Sequence, residues 1–510
     1  MTEAENAAMT ERQAPWRVSS IQPAVCVALL IFAQILIWTL VPYFAGRSLP
    51  LDVVSDGLAW GHEWQWGYYK HPPLPSWEAE AFFDAFGDIG PYLLSQLSIG
   101  ITYVFVFLLG RELMPARWAA ASTLLTACIY YFSIPTPEFN HNVAQMPLWA
   151  VAVYAYYRAI GARRLRWWLL LGVAGGAALL TKYASAILLL TIAIHFLCAS
   201  ERRAQLRSPG PYLALIAFGL TIAPHIAWLY HNHFPTIFYA ASRASQTHGI
   251  ALRLFGPLRF LLSQLIDISP ALLVAAVSGF LGREVLQQFV PDDRLRFLAA
   301  FALGPAILTA LLSLLTGLGL RDMWGTPMWN LAGLLIVYLC RPRWPRAELW
   351  RLAVCVAIAF VLLPVGYVLA TSTVPALQGK PSRVQWPDRA MANAFDNAYV
   401  QETGRPLKII AADGWLGGLV AMRDPLRPSV YTDGALREAP WITPERLARD
   451  GALVLWRGDR PIPPRLLALR GLKVIGSKSF TWPKVPSAKP LVIGWGIIPV
   501  QGQHTEKPAP

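Results

Sequence analysis

The sequence predicts a mainly α, polytopic membrane protein: a transmembrane bundle of about 11 helices followed by a small α/β domain outside the bilayer. Three observations lead there. The 510-residue chain is 55% hydrophobic and only 15% charged, whereas soluble domains carry about 25% charged residues. Its apolar residues gather into runs near the roughly 20 residues that cross a bilayer. After about residue 372 these runs stop, and short strand-like and turn-like stretches follow.

Residues 1–21 are expected to form a cytoplasmic tail, disordered over most of its length. The first apolar run, 22–43, is longer than a signal-peptide core and has no small-residue cleavage site, so it is expected to be a retained helix. Further spans are expected at 91–110, 118–135, 143–160, 166–181, 184–200, 211–230, 260–281, 297–318, 325–340 and 352–372. The long run ending near Ala199 is divided by Thr181-Lys182-Tyr183. Residues 22–372 thus read as a membrane domain with a long first outer loop, 44–90. Residues 373–510 read as the extramembrane α/β domain, with "LKIIAADGWLGGLVAMRD" and "LKVIGSKSF" as strands and turns, "TPERLARD" as a short helix, and a disordered "QGQHTEKPAP" end.

Charge sets the orientation. With the N-terminus inside, cytoplasmic loops collect Arg111, Arg117, Arg158, Arg163, Arg164, Arg166, Arg202, Arg203, Arg207, Arg283, Arg294, Arg296, Arg341, Arg343, Arg346 and Arg351. Outer loops hold only Arg47, Lys70, Lys182, Arg243, Arg253, Arg259 and Arg321, so the bias is about two to one in the positive-inside sense. The first outer loop and the tail domain are therefore expected in the periplasm of a bacterial inner membrane. Arginine-rich inner loops also account for the net charge of +14 without nucleic acid as a partner. Cys26, Cys128, Cys198, Cys340 and Cys355 lie in or beside apolar runs and form no CxxC pair, which points to buried thiols and away from a zinc ribbon or disulfide framework.

The first outer loop has a distinctive order of features. "LDVVSDGLAWGHEWQWGYYKHPPLPSW" carries an early Asp, a tryptophan-rich stretch and Tyr-Tyr-Lys-His-Pro-Pro-Leu. It resembles the first loop of membrane glycosyltransferases of the protein-mannosyltransferase and aminoarabinose-transferase type, GT-C fold enzymes of glycosyltransferase family 39. The similarity continues through "FNHNVAQMPLWAVAVYAYYRAI", "LLGVAGGAALLTKYASAILLL" and "MWGTPMW", and more weakly through "RPSVYTDG". The resemblance implies transfer of a monosaccharide from a polyprenyl-phosphate donor to a lipid, lipopolysaccharide or protein hydroxyl at the outer face. It puts Asp52, 15 residues before Gly67, in the position of the catalytic first-loop Asp, with Asp56 as its competitor. Val53 stands where a second acidic residue often follows. In the next outer segment, Glu138-Phe139-Asn140-His141-Asn142, the family's second Asp is missing, leaving Glu138, His141 or Asn142 to supply a second acidic or polar group.

Physical chemistry supplies a role and a plainer alternative for each residue. Asp52 or Asp56, partly desolvated near the membrane surface, suits a general base for an acceptor hydroxyl; Asp56 equally suits a cap on a following amphipathic helix. Lys70 and His71 precede Pro72-Pro73, whose rigid backbone would aim them at a donor phosphate; otherwise Lys70 snorkels. Lys182 lies between apolar runs, where an idle charge is costly, and is a second phosphate-binding candidate. Trp64, Trp66, Tyr68 and Tyr69 offer sugar-stacking surfaces, or mark an interfacial helix. No cofactor is firmly implied. A divalent metal rests on the weak His-x-His pattern of His231 and His233, with His248 in the same loop. Leaving group and nucleophile facing each other across one site imply a single, inverting displacement. A lipid-linked sugar flippase and an inactive envelope-complex subunit are the rival functions. The absence of an internal repeat weighs against a transporter built from inverted halves.

Overall fold

The computed structural model describes residues 22–244, 250–280, 292–340 and 346–500. The expected tails 1–21 and 501–510, together with His248 and the arginines at 283, 341 and 343, lie outside the described residues.

Helix α1 (Pro23–Ala45) opens the bundle. Its Pro23 lies in the first turn, where a missing N–H costs nothing. Helix α2 (Leu74–Phe86) lies within the long first loop, 44–90, and ends at Gly87, whose φ of 63° suits a residue without a Cβ. A short turn leads into α3 (Gly90–Leu113). Together 74–113 form an apolar run of 40 residues, about twice a bilayer's need. Glu78, Glu80 and Asp84 all fall in α2, so α3 is the crossing segment.

Helix α4 (Ala116–Thr126) is shorter than the expected span 118–135. Pro135 and Pro137 cannot continue a helix, and a tight turn at Tyr130–Phe132 replaces it. Helix α5 (His141–Ala162) is capped by Asn140, whose Oδ1 accepts the N–H groups of Asn142 and Val143 at 2.9 and 3.2 Å. Helices α6 (Leu165–Thr181) and α7 (Ala186–Leu197) break at Lys182, which is extended. Small residues let α8 (Gly210–His231) approach α6 closely: a Cβ on Gly172 would lie 2.2 Å from the Ala214 carbonyl oxygen.

Then come α9 (Pro235–Ala244), α10 (Ile250–Val277) and α11 (Asp293–Thr316). The expected span 325–340 is broken: a 3-10 turn at Asp322–Trp329 meets α12 (Ala332–Cys340) at 56°. Helix α13 (Arg346–Val368) completes the bundle. An apolar helix thus stands at every expected position. By length and composition, 6 helices among the described residues can cross a membrane, or up to 8 with bent pairs counted.

The C-terminal region begins with α14 (Asp388–Thr403) and strand β1 (Ile409–Ala412). Helix α15 (Gly414–Ala421) follows, where the sequence suggested only strands and turns; Asp413 caps it by accepting from the N–H groups of Trp415 and Leu416. Next are β2 (Ser429–Thr432), α16 (Pro444–Asp450), β3 (Ala452–Arg457), β4 (Lys473–Phe480) and β5 (Leu491–Ile498). The sheet order is β2-β1-β3-β5-β4, with β1 parallel to β2 and β3, and β5 antiparallel to β3 and β4. β1 and β2 are buried throughout, as parallel strands covered on both faces must be.

This region sits directly on the first outer loop. A Cβ on Gly418 of α15 would lie 2.7 Å from Val54 Cγ1. Arg427 donates to both carboxylate oxygens of Glu80 at 2.7 and 2.8 Å, and Glu80 has no exposed side-chain surface. Arg423 joins Asp88 and Asp388. Loop and sheet therefore share one end of the bundle.

Candidate active site

Local sequence explains how the first loop is held. Val53–Leu58 form one π-helical turn, with Val53, Val54, Gly57 and Leu58 buried. Such turns recur at functional sites because they re-aim side chains out of the helical register. Here the apolar residues anchor the turn, and Asp52 and Asp56 remain on its polar side. Gly61 allows α2 to pack against the loop, since a Cβ there would meet the Ser76 carbonyl oxygen at 2.3 Å.

Asp52 donates its backbone N–H to Glu138 Oε1 at 2.8 Å, and its Oδ2 accepts from Asn140 Nδ2 at 3.3 Å. Asp56 does not cap a helix. The chain is already helical on both sides of it, so no helix begins there, and its carboxylate takes Lys70 Nζ at 3.2 Å. The Lys70 ammonium also lies 5.4 Å from the Trp60 ring and 5.3 Å from the Tyr69 ring. His71 lies against His141, with ring centroids 4.0 Å apart. Lys182 donates to Asn142 Oδ1 at 2.6 Å and lies 5.9 Å from the Trp324 ring.

One short segment, 138–142, ties these groups together. Glu138 and Asn140 hold Asp52, His141 faces His71, and Asn142 holds Lys182. Behind it, Trp149 Nε1 donates to Ser185 Oγ at 3.0 Å, and Ser185 donates to Gln145 Oε1 at 2.9 Å. Gln145 Nε2 then donates to the His141 carbonyl at 3.0 Å. This buried chain locks the Lys182 turn onto the start of α5.

Burial is the main electrostatic influence. It raises Asp52 from its ordinary 3.8 to about 7, with the Glu138 and Asp56 carboxylates adding to the effect. It also raises Asp56 and Glu138, although Lys70 opposes the rise at Asp56 and the Asp52 N–H opposes it at Glu138. Burial lowers Lys182 to about 8, with Arg321 adding to the fall and Asp52 resisting it. Burial would lower Lys70 too, but the Asp56 carboxylate outweighs it and lifts Lys70 above its ordinary value. His71 and His141 fall well below 6.5, first through burial and then through nearby cations, and are neutral imidazoles at pH 7.

The aromatic residues divide. Trp64 and Trp66 are exposed by 51% and 45%, and both contact Trp77, which suits an interfacial surface. Tyr68 cannot stack a sugar in this arrangement: it is fully buried, stacked on Trp60 and edge-on to Trp441. Tyr69 is partly buried and edge-on to Tyr239. The exposed His231 and His233 belong to no cluster of three metal-ligating residues among the described residues. That property belongs to Asp56, His71 and His141, whose ligand atoms all lie within 4.8 Å of one another. Trp324 and the Gln145–Ser185–Trp149 chain were not foreseen, because their roles depend on contacts between distant helices.

Comparison with known proteins follows the same lines. The family model for dolichyl-phosphate-mannose-protein mannosyltransferase matches residues 70–228. The lipopolysaccharide core galacturonosyltransferase RgtA of Rhizobium johnstonii is 24% identical over 415 residues, covering 77% of this chain and 79% of the relative. The lipid A galacturonosyltransferase RgtD of the same organism is 23% identical over 323 residues, covering 61% and 64%. The crystal structure of ArnT from Cupriavidus metallidurans bound to undecaprenyl phosphate matches with a TM-score of 0.63 at 14% identity, covering 92% of this chain and 97% of ArnT.

Proposed function

We propose that the chain is a GT-C membrane glycosyltransferase of the family 39 type, as its matches to such enzymes support, and that it moves a monosaccharide from a polyprenyl-phosphate donor to a hydroxyl of a lipopolysaccharide acceptor. The single observation that carries this reading is the 138–142 segment, which holds a carboxylate of raised pKa and a half-buried ammonium on one scaffold. The undecaprenyl phosphate on ArnT supports the donor class, and the names of RgtA and RgtD support the acceptor.

Asp52 takes the proton of the acceptor hydroxyl as its oxygen attacks the anomeric carbon. The bond from that carbon to the phosphate oxygen breaks, and the configuration inverts in a single displacement. Lys182 stabilises the departing phosphate. Its only direct polar partner described is the neutral Asn142, so its charge remains available. Lys70 is already matched to Asp56, and His71 is a neutral N–H donor, so neither leads in holding the phosphate. In this reading 22–372 form the membrane catalytic domain, 373–510 cover the first loop in the periplasm, and 1–21 stay in the cytoplasm.

The test is incubation of the purified protein with radiolabelled polyprenyl-phosphate sugars and either lipopolysaccharide or membrane-protein extracts. Label appearing in lipopolysaccharide supports the proposal, and label in protein would redirect the acceptor. Donor crossing a vesicle bilayer without transfer would indicate a flippase. Neither event would indicate an inactive subunit.

A further inference from the structure

We propose that Asp56, His71 and His141 form a binding site for a divalent transition metal beside the Asp52 carboxylate. Their ligand atoms all lie within 4.8 Å of one another. Donor atoms around one tetrahedral zinc, at about 2.0–2.2 Å from it, lie roughly 3.4 Å apart. Ring tilt and side-chain rotation of that order close the difference.

A second observation points to a ligand. His141 is 5% exposed, and its Nε2 is a buried nitrogen without a hydrogen-bond partner. A polar atom left so is costly, and its ring lies 4.0 Å from that of His71. Neutral imidazoles are the ligating form of histidine. Two nitrogens and one carboxylate oxygen suit zinc, cobalt or iron(II) and not magnesium or calcium, which prefer all-oxygen shells. Three protein ligands also leave a coordination position open, as in catalytic zinc sites.

Lys70 is the competitor, since its ammonium now occupies Asp56 at 3.2 Å. A bound metal would displace it, and the Trp60 and Tyr69 rings already offer the ammonium other favourable surfaces. The surrounding charges comprise Asp52 and Glu138 on one side and Lys70 and Lys182 on the other, so the incoming divalent charge meets a mixed field.

The test uses the full chain in detergent, stripped with chelator, and needs no donor or acceptor, so its outcome is separate from that of the proposed transferase activity. Titration with Co²⁺ should show about one ion per chain with the visible d–d bands of a four-coordinate N/O site. His71→Ala, His141→Ala and Asp56→Asn should each weaken uptake at least about tenfold, while His231→Ala/His233→Ala leaves it unchanged. Lys70→Met should tighten uptake, a gain that mere misfolding cannot mimic. No uptake below millimolar Co²⁺, uptake lost only in the His231/His233 variant, or weaker uptake in Lys70→Met would each overturn the proposal.

Discussion

Asp52→Asn is the most informative single substitution. Asparagine keeps the size of the side chain and an oxygen for Asn140 Nδ2, and the backbone bond to Glu138 is untouched. What is lost is the base, which is typically worth about 10²–10⁴-fold in rate. Turnover should fall by that order with donor affinity largely retained. The wild-type rate should rise with pH through about 7, as the raised carboxyl loses its proton, and this limb should vanish in the variant.

Stability should move the opposite way. The folded pKa of Asp52, about 7, lies above its ordinary 3.8. The folded state therefore holds the proton more tightly, and stability is fully present below about 4 and lost as pH rises through about 7. At about 1.4 kcal/mol per pKa unit, the ceiling on that loss is roughly 4 kcal/mol. Asparagine escapes it, so Asp52→Asn should melt higher than wild type at pH 8 and alike at pH 4. The assays are initial rates against pH with labelled donor and thermal unfolding in detergent. Near-normal turnover, or a variant that retains the acid limb, would refute Asp52 as the base.

Three further outcomes are expected. Lys182→Ala should weaken binding of a polyprenyl phosphate by about 1.5–3 kcal/mol, the usual contribution of a hydrogen bond to a charged group, as read by calorimetry; unchanged affinity would leave Lys182 without a phosphate role. Arg427→Met leaves the buried Glu80 carboxylate with only the His62 ring nitrogen at 3.2 Å and should destabilise the folded protein by up to about 3–5 kcal/mol; restoration of much of that loss by adding Glu80→Gln in thermal melts would assign it to the uncompensated charge. In a background without native cysteines, a cysteine at Ser382 should react with an impermeant maleimide applied to intact spheroplasts, and one at Gly161 should not; the reverse pattern would invert the orientation.

The sequence made the bundle legible because membrane crossing leaves a coarse signal, runs of apolar residues punctuated by charge. The α4 boundary was misplaced because Phe132 and Ile134 kept hydropathy high past Thr126, where the helix ends, in a stretch that Pro135 and Pro137 then close to helix. Helix α15 was missed because Gly414, Gly417 and Gly418 disguise it; glycine lowers helix propensity, yet at 417 and 418 it permits close approach to Val430 and Val54. The candidate residues on the first loop stood out by type and order, but their pairings did not. Nothing in the spacing says that Asp56 rather than Asp52 takes Lys70, because a π-turn sets which carboxylate points there. Tyr68 resembled its neighbours in sequence, and only the contacts with Trp60 and the distant Trp441 show that it is enclosed.

The pairing pattern also bears on a departure from the glycosyltransferases that the sequence resembles. The 138–142 segment has Asn140 and Asn142 where the resemblance leads one to expect an acidic residue. An aspartate at 142 would hold Lys182 as Asp56 holds Lys70, with its charge already matched. Asparagine accepts the same hydrogen bond from Nζ but brings no charge of its own, so burial lowers the Lys182 pKa toward 8 even though Asp52 resists the fall. In the proposed mechanism the phosphate of the donor would supply the counter-charge. Asn140 works in the same sense on the other side: it donates to Asp52 without neutralising it, while its own oxygen caps α5. In the proposed mechanism, two neutral amides on one turn thus position the base and the cation without neutralising either.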